Sequence, residues 1–214
     1  EPNPEECLYP VNEEINQLIS YIPGGDSTSL KIDAIVNAAN SELYAGGGIC
    51  GVIHSRAGPK LEQACEKIGH CESGDAVVTP GFNLPAKYVI HAVGPIGEQP
   101  KILQSAYEKT LELIDGEKIR SVGLCCISTG IYGYPIRPAT QIALDVVRKF
   151  LENEENRKKV DRIIFVVFLS KDCKIYDHYL PRYFPLPDGV VKYQAVESES
   201  EEDAEPKTFK IDEK

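Results

Sequence analysis

"NAANSELYAGGGICGVIHSRAG", residues 37–58, runs from the end of an apolar stretch through Gly46, Gly47 and Gly48 into an amphipathic segment. Three consecutive glycines are costly to order, because each loses more backbone freedom on folding than any other residue. A glycine run that opens a helix exposes successive N–H groups at the positive end of the helix dipole, which suits an anion. It equally suits a tight turn that holds nothing. No Gly-Lys-Ser/Thr follows, so this is not a Walker loop, and G-x-G-x-x-G does not fit residues 46–51.

Working outward, "IDAIVNAAN" begins as a short buried strand at Ile32, Ala34, Ile35 and Val36. Upstream, a strand is expected near "INQLISYI" (15–22), closed by a turn at Pro23, Gly24 and Gly25, with Asp26 placed to cap a helix at Ser27. Downstream, the apolar spacing of Ile49, Val52, Ile53, Ala57, Leu61 and Ala64 predicts a helix, with Pro59 marking a break or a second start. Strands are then expected at 75–79, 87–93, 121–129 and 162–170, and helices at 102–116, 137–154 and 174–184. The best helix is 137–154, with Ile142, Val146, Val147, Phe150 and Leu151 on one face. Strands alternating with helices predict an α/β domain whose sheet is largely parallel and covered on both faces. Ligands in such folds gather at the carboxyl ends of strands. Here those ends carry "NAAN" and "STGIYG", two small-residue loops that can share one cleft.

Composition narrows the function classes. The 214 residues suit one domain with a tail, and 42% hydrophobic content is ordinary for a globular chain. No apolar run approaches the roughly 18 residues that span a bilayer, so no membrane partner is expected. The formal net charge is −10, and residues 195–214 carry eight acidic side chains against three lysines. Neither part is basic, which argues against affinity for DNA or RNA phosphates and against sequence-specific nucleic-acid binding. Seven cysteines without framework spacing, two of them (Cys125 and Cys126) in an apolar run, point to a reducing compartment. An intracellular location, cytoplasm or nucleus, is therefore expected. With no methionine anywhere, Glu1 is not expected to be the translation start, and an upstream targeting segment is left open.

Several residues admit two readings. Asn37 and Asn40 can bond sugar hydroxyls or simply turn the chain. Cys50 and His54, at i and i+4, share one helical face. They can form a nucleophilic pair with the thiol activated at a helix N-terminus, or pack as core residues. With Cys65, His70 and Cys71 they invite a zinc reading, but the spacing matches no familiar finger. No metal and no cofactor is expected.

Taken in order, "GGDSTSLKIDAIVNAANSELYAGGGICGVIHSRAGPKL" (24–61), "TPGFNLPAKYVIHAVGP" (79–95), "CCISTGIYGYP" (125–135) and "LPRYFP" (180–185) make the chain resemble the macrodomains, modules that bind ADP-ribose and its derivatives. The resemblance runs from about Val11 to Pro185 and is strongest to the MacroD-type branch, whose members remove mono-ADP-ribose from acidic side chains and deacetylate O-acetyl-ADP-ribose. It implies a three-layer α/β/α fold with a mixed, largely parallel sheet over residues 11–187. Residues 1–10 read as a lead-in, and the charge-dense composition of 188–214 as a disordered acidic tail, either simply solvated or, at Ser198 and Ser200, suited to an acidophilic kinase. ADP-ribose or mono-ADP-ribosylated proteins would be the partners of a monomer.

At matching positions the resemblance places Asp26, with Ala34 and Ile35, at the adenine end, and Phe168 against the base. Gly47, Gly48 and Ile49, with the backbone of Ser128, Thr129, Gly130, Ile131 and Tyr132, would cradle the two phosphates. Asn40 would bond the distal ribose against which Tyr132 packs. Asn40, Cys50 and His54 would form the catalytic set, with His54 behind the glycine loop. MacroD-type enzymes usually carry an aspartate where this chain has Cys50, and an apolar residue where it has Ser27. A carboxylate accepts hydrogen bonds and acts as a base, whereas a neutral thiol is a poor acceptor. Two readings follow from that departure: a hydrolase of ADP-ribosyl esters, or a non-catalytic reader of ADP-ribose.

Overall fold

Alternate residues of β2 (Ala34–Ala39) pack in opposite directions, which makes this strand the centre of three layers. Ala34 and Val36 join one apolar core, and Ile35 and Ala39 join the other. The first core holds residues of α4 (Pro100–Glu112), α5 (Ile136–Glu152) and α7 (Ser170–Tyr183); the second holds residues of α2 (Ile49–Ala57) and α3 (Pro59–Ile68). A computed structural model describes residues 7–187, 193–195 and 209–211 of the chain. The remaining strands of the main sheet are β1 (Ile19–Pro23), β3 (Ala76–Pro80), β4 (Tyr88–Val93), β5 (Ser121–Leu124) and β6 (Arg162–Val167). Their order is β1-β6-β5-β2-β4-β3. Every pairing is parallel except that of β3 with β4, so the sheet is mixed and largely parallel, as expected.

Some boundaries differ from the sequence reading, each for a local reason. Ile15 does not begin a strand: Asn12 caps a short helix, α1 (Glu13–Asn16), by accepting the Ile15 N–H at 3.1 Å. Pro59 is the second helical start, following Gly58 at φ 82°. Strand β5 stops at Leu124 because the Tyr107 hydroxyl donates to the Cys125 carbonyl and accepts the Ile127 N–H, both groups a longer strand needs. Cys125 and Cys126 are therefore half-buried loop residues rather than strand. Helix α4 ends before Gly116, where the Asp115 carboxylate gathers the N–H groups of Glu117, Lys118 and Ile119. On α5 the fully covered face is Ala139, Ala143, Leu144, Val147 and Leu151, while Ile142 and Phe150 sit at its margin.

Asp33 ties three strand starts together. Its carboxylate accepts the Arg120 and Ser121 N–H groups at 3.0 Å, the Ser121 hydroxyl at 2.9 Å, and the Lys87 ammonium at 2.8 Å. At the far side, residues 7–10 lie against α5 and α7: the Leu8 N–H donates to Arg182 O, and the Tyr9 hydroxyl to Asp145. After the one-turn helix α6 (Glu154–Arg157) and the rest of the domain, β7 (Tyr193–Ala195) and β8 (Phe209–Ile211) form a small antiparallel sheet that the sequence reading did not anticipate. Ser198, Ser200 and most of the acidic segment lie outside the described residues. Among those described, no helix is long and apolar enough to cross a membrane, and the seven cysteines are free thiols.

Candidate functional site

The carboxyl ends of β1, β6, β5, β2 and β4 lie side by side, and the first four are followed by segments that the sequence reading singled out. Five strands spaced about 4.8 Å apart give an edge of about 19 Å, enough for an extended dinucleotide.

At one end, β1 and β6 place Asp26 and Phe168. The Gly24 N–H donates to Val167 O at 2.7 Å, which holds the turn after β1 against the end of β6. Asp26 caps a 3-10 turn at Ser27–Ser29 by accepting the Thr28 N–H at 3.0 Å and the Thr28 hydroxyl at 2.6 Å. Its second oxygen accepts Arg56 of α2 at 2.6 Å. Burial pushes the Asp26 carboxyl up, but Thr28 and Arg56 outweigh it and hold it below the usual carboxylate range. The result is an ionised acceptor in the loop held against the end of β6, just past which Phe168 is 72% exposed. An exposed aromatic face beside a fixed acceptor suits a base carrying an amino group.

Ala34 and Ile35 do not belong to this end. Both have no exposed surface, since their side chains enter the two cores, and they stand at the start of β2, away from the loops. They contribute packing to the two cores.

In the middle of the edge the two glycine loops meet. A Cβ placed on Gly47 would come within 2.7 Å of Ile131 Cδ1, so the loop after β2 directly faces the loop after β5. Gly48, with φ 60° and ψ −140°, starts α2 with no side-chain cap, which leaves the first N–H groups of the helix to the space between the loops. Opposite, Ser128 is left-handed (φ 64°), and its buried hydroxyl has no hydrogen-bond partner. The second loop is braced by Tyr134 N–H to Ser128 O at 2.9 Å, Gly133 N–H to Gly130 O at 3.0 Å, and Gly97 N–H to Tyr132 O at 2.7 Å. Thr129 turns away, donating its hydroxyl to Cys126 O at 3.0 Å. Ile131, 80% exposed, overhangs the gap.

Towards β4 lie Asn40, Cys50 and Tyr132. The Asn40 side chain holds its own loop, donating to Tyr44 O at 2.9 Å and accepting the Tyr44 N–H at 3.2 Å. A Cβ on Gly46 would touch both Asn40 Nδ2 (3.4 Å) and Cys50 Sγ (3.8 Å), so these two side chains flank the glycine run together. Cys50 Sγ receives Gly46 N–H at 3.4 Å and Asn37 Nδ2 at 3.5 Å, and donates to Tyr44 O at 3.6 Å. Burial, with Tyr44 and Cys50 nearby, raises the Tyr132 phenol, which stays protonated and able to donate.

His54 is not paired with Cys50. It is buried, neither ring nitrogen has a hydrogen-bond partner among the described residues, and burial lowers its basicity against the opposing pull of Glu62, leaving a neutral imidazole. The nucleophilic dyad the spacing allowed is therefore not assembled. The zinc grouping considered from the sequence also divides. His70 is exposed beside Glu42 and Glu72, and Cys71 bonds the neighbouring Glu72 carbonyl. His54 and Cys65 instead meet His91 of β4, a residue the sequence reading passed over. Its one signal was a histidine inside the apolar run "YVIHAV".

Comparison with known proteins agrees with this geometry. A family model described as Macro domain matches residues 36–143. The chain is 47% identical over 188 residues to the ADP-ribose glycohydrolase MACROD1 of Bos taurus, covering 85% of this chain and 57% of that protein. It thus spans little more than half of that relative's length. It is 43% identical over 170 residues to the Macro domain-containing protein CT2219 of Chlorobaculum tepidum, covering 77% of this chain and 96% of that protein. Among solved structures, a Trypanosoma brucei macrodomain in complex with ADP-ribose is similar with a TM-score of 0.73 and 43% identity, covering 80% of this chain and 72% of that one.

Proposed function

Because the chain belongs to the macrodomain family, we propose that its cleft binds ADP-ribose and hydrolyses ADP-ribosyl esters, on Asp or Glu side chains of proteins or on acetate. The observation that carries this reading is the meeting of Gly47 and Ile131 over the uncapped start of α2, which presents N–H donors to a diphosphate from two loops. Adenine lies between Phe168 and the Asp26 carboxylate, with its exocyclic amine donating to the latter. The distal ribose reaches Asn40, Tyr132 and Cys50.

Hydrolysis draws mainly on positioning. Water attacks the distal ribosyl ester, assisted by the ligand's α-phosphate or a ribose hydroxyl, and Asn40 exchanges its bonds to Tyr44 for bonds to the ribose. The second reading, a reader without turnover, is favoured by one observation: the group beside Asn40 is the Cys50 thiol, which already donates to Tyr44 O and offers no carboxylate to orient water.

Two measurements test these readings. Calorimetry with ADP-ribose is expected to give saturable heat and thermal protection; absence of both removes the binding reading. Single-turnover release from an auto-mono-ADP-ribosylated transferase then compares the native chain with Cys50→Asp. Measurable release by the native chain, accelerated about tenfold or more in the variant, supports the hydrolase. Release by the variant alone leaves the reader.

A further inference from the structure

We propose that His54, Cys65 and His91 form a buried site for a zinc-class divalent cation that joins α2, α3 and β4 behind the glycine loop. Their ligand atoms lie within 4.8 Å of one another. Cys65 Sγ is 3.8 Å from His91 Nε2, close to the roughly 3.6 Å between sulfur and nitrogen ligands of one tetrahedral zinc. The three come from residues 54, 65 and 91, so no local spacing announces them; the fold assembles the set.

Two orphaned polar groups point to an occupant. His54 is 7% exposed, and both its ring nitrogens lack a partner among the described residues, a costly arrangement for an imidazole. A cation among the three ligand atoms satisfies one of them. Asn37 Oδ1 is also buried and unpartnered, while Asn37 Nδ2 lies 3.1 Å from His91 Nδ1. With a cation on Nε2, His91 carries its proton on Nδ1, and the Asn37 amide turns to accept it through Oδ1. A carbonyl behind a ligating imidazole is the common way such a ring is oriented.

The Thr79 hydroxyl, 2.9 Å from Nε2, is released by the same change and becomes available to the fourth position. Binding converts the Cys65 thiol to thiolate and passes one proton to solvent. Glu62, which acts electrostatically on both His54 and Cys65, offsets the remaining positive charge. One thiolate and two imidazoles select a borderline cation such as zinc or cobalt over magnesium or calcium.

The site is independent of what the cleft binds, and its test needs no nucleotide. An untagged, chelator-stripped chain incubated with Zn²⁺ and desalted is expected to retain one zinc per chain by elemental analysis. Co²⁺ is expected to give a thiolate-to-cobalt charge-transfer band together with visible tetrahedral bands, all erased by Zn²⁺. The charge-transfer band should vanish in Cys65→Ser and persist in Cys50→Ser. Zinc should raise the thermal midpoint of the native chain and leave that of His91→Gln unmoved. A native chain that retains no zinc and shows no cobalt band overturns the proposal, and that readout requires no variant to fold. A band that survives Cys65→Ser, or is lost in Cys50→Ser, overturns it as well.

Discussion

On the proposed reading, Asp26 serves both fold and ligand with one side chain. One oxygen is used in capping the turn after β1, and the other meets Arg56 while keeping a lone pair for the cleft. Asp26→Ala is expected to weaken ADP-ribose binding tenfold or more by calorimetry, with a smaller loss against a hypoxanthine analogue that lacks the donor amine. The pH dependence has a defined sign. The folded-state carboxyl lies below its ordinary value, so the charged acceptor persists as pH falls through the ordinary aspartate range near about 3.9. Affinity should stay level from pH 7 to 5 and decline only below about 4. A decline centred near pH 6 would assign the titration to another group. On the other side of the glycine run, the Cys50 sulfur is already committed to Gly46, Asn37 and Tyr44.

At the scale of elements, the two glycine loops are not equivalent. Gly48 has φ 60° and ψ −140°, a conformation closed to a side chain, whereas Gly130 has an ordinary φ and open space around its missing Cβ. Gly48→Ala is expected to cost about 1–3 kcal/mol of stability in denaturant unfolding and to reduce ADP-ribose affinity. Gly130→Ala should change stability by less than about 0.5 kcal/mol. Equal losses would show that the glycines act through general flexibility rather than backbone geometry.

The loop after β2 was legible in the sequence because small polar residues and glycines interrupt an otherwise apolar alternation. The short β5 was not, because its end is dictated by Tyr107, a residue of α4 whose hydroxyl replaces strand partners. The depth of Ala34 and Ile35 was not legible either. A motif match fixes position along the chain and not depth, and these two residues begin the strand whose far end carries the loop. His91 stayed hidden because its neighbours Asn37, Thr79 and Cys65 come from three other elements.

Across the whole molecule, Arg148 joins the beginning and end of the described domain. It has no exposed surface, donates to Tyr183 O at 2.9 Å and Pro10 O at 3.1 Å, and pairs with Glu152 at 2.6 Å. Its guanidinium also lies over the Tyr9 ring, 4.9 Å from the centroid. Arg148→Met leaves two carbonyls and a carboxylate without their donor, and is expected to cost about 3 kcal/mol in urea unfolding. ADP-ribose affinity, measured well below the melting temperature, should be unchanged, since Arg148 acts on α5, α7 and residues 9–10 rather than on the cleft. A loss under about 0.5 kcal/mol would mean that methionine packing fully replaces the polar tie.

Ile131, 80% exposed over the gap between the glycine loops, and Phe168, 72% exposed past the end of β6, carry a consequence of a different kind. A ligand lying along the cleft withdraws both from water, on the order of 200 Å² of apolar surface. That corresponds to a heat-capacity change of about −0.1 kcal/mol/K. Titrations repeated between cold and warm temperatures should therefore grow steadily more exothermic, and Ile131→Ser should flatten the trend. Two apolar side chains left open to solvent along the ligand edge would then be read in how the binding enthalpy changes with temperature.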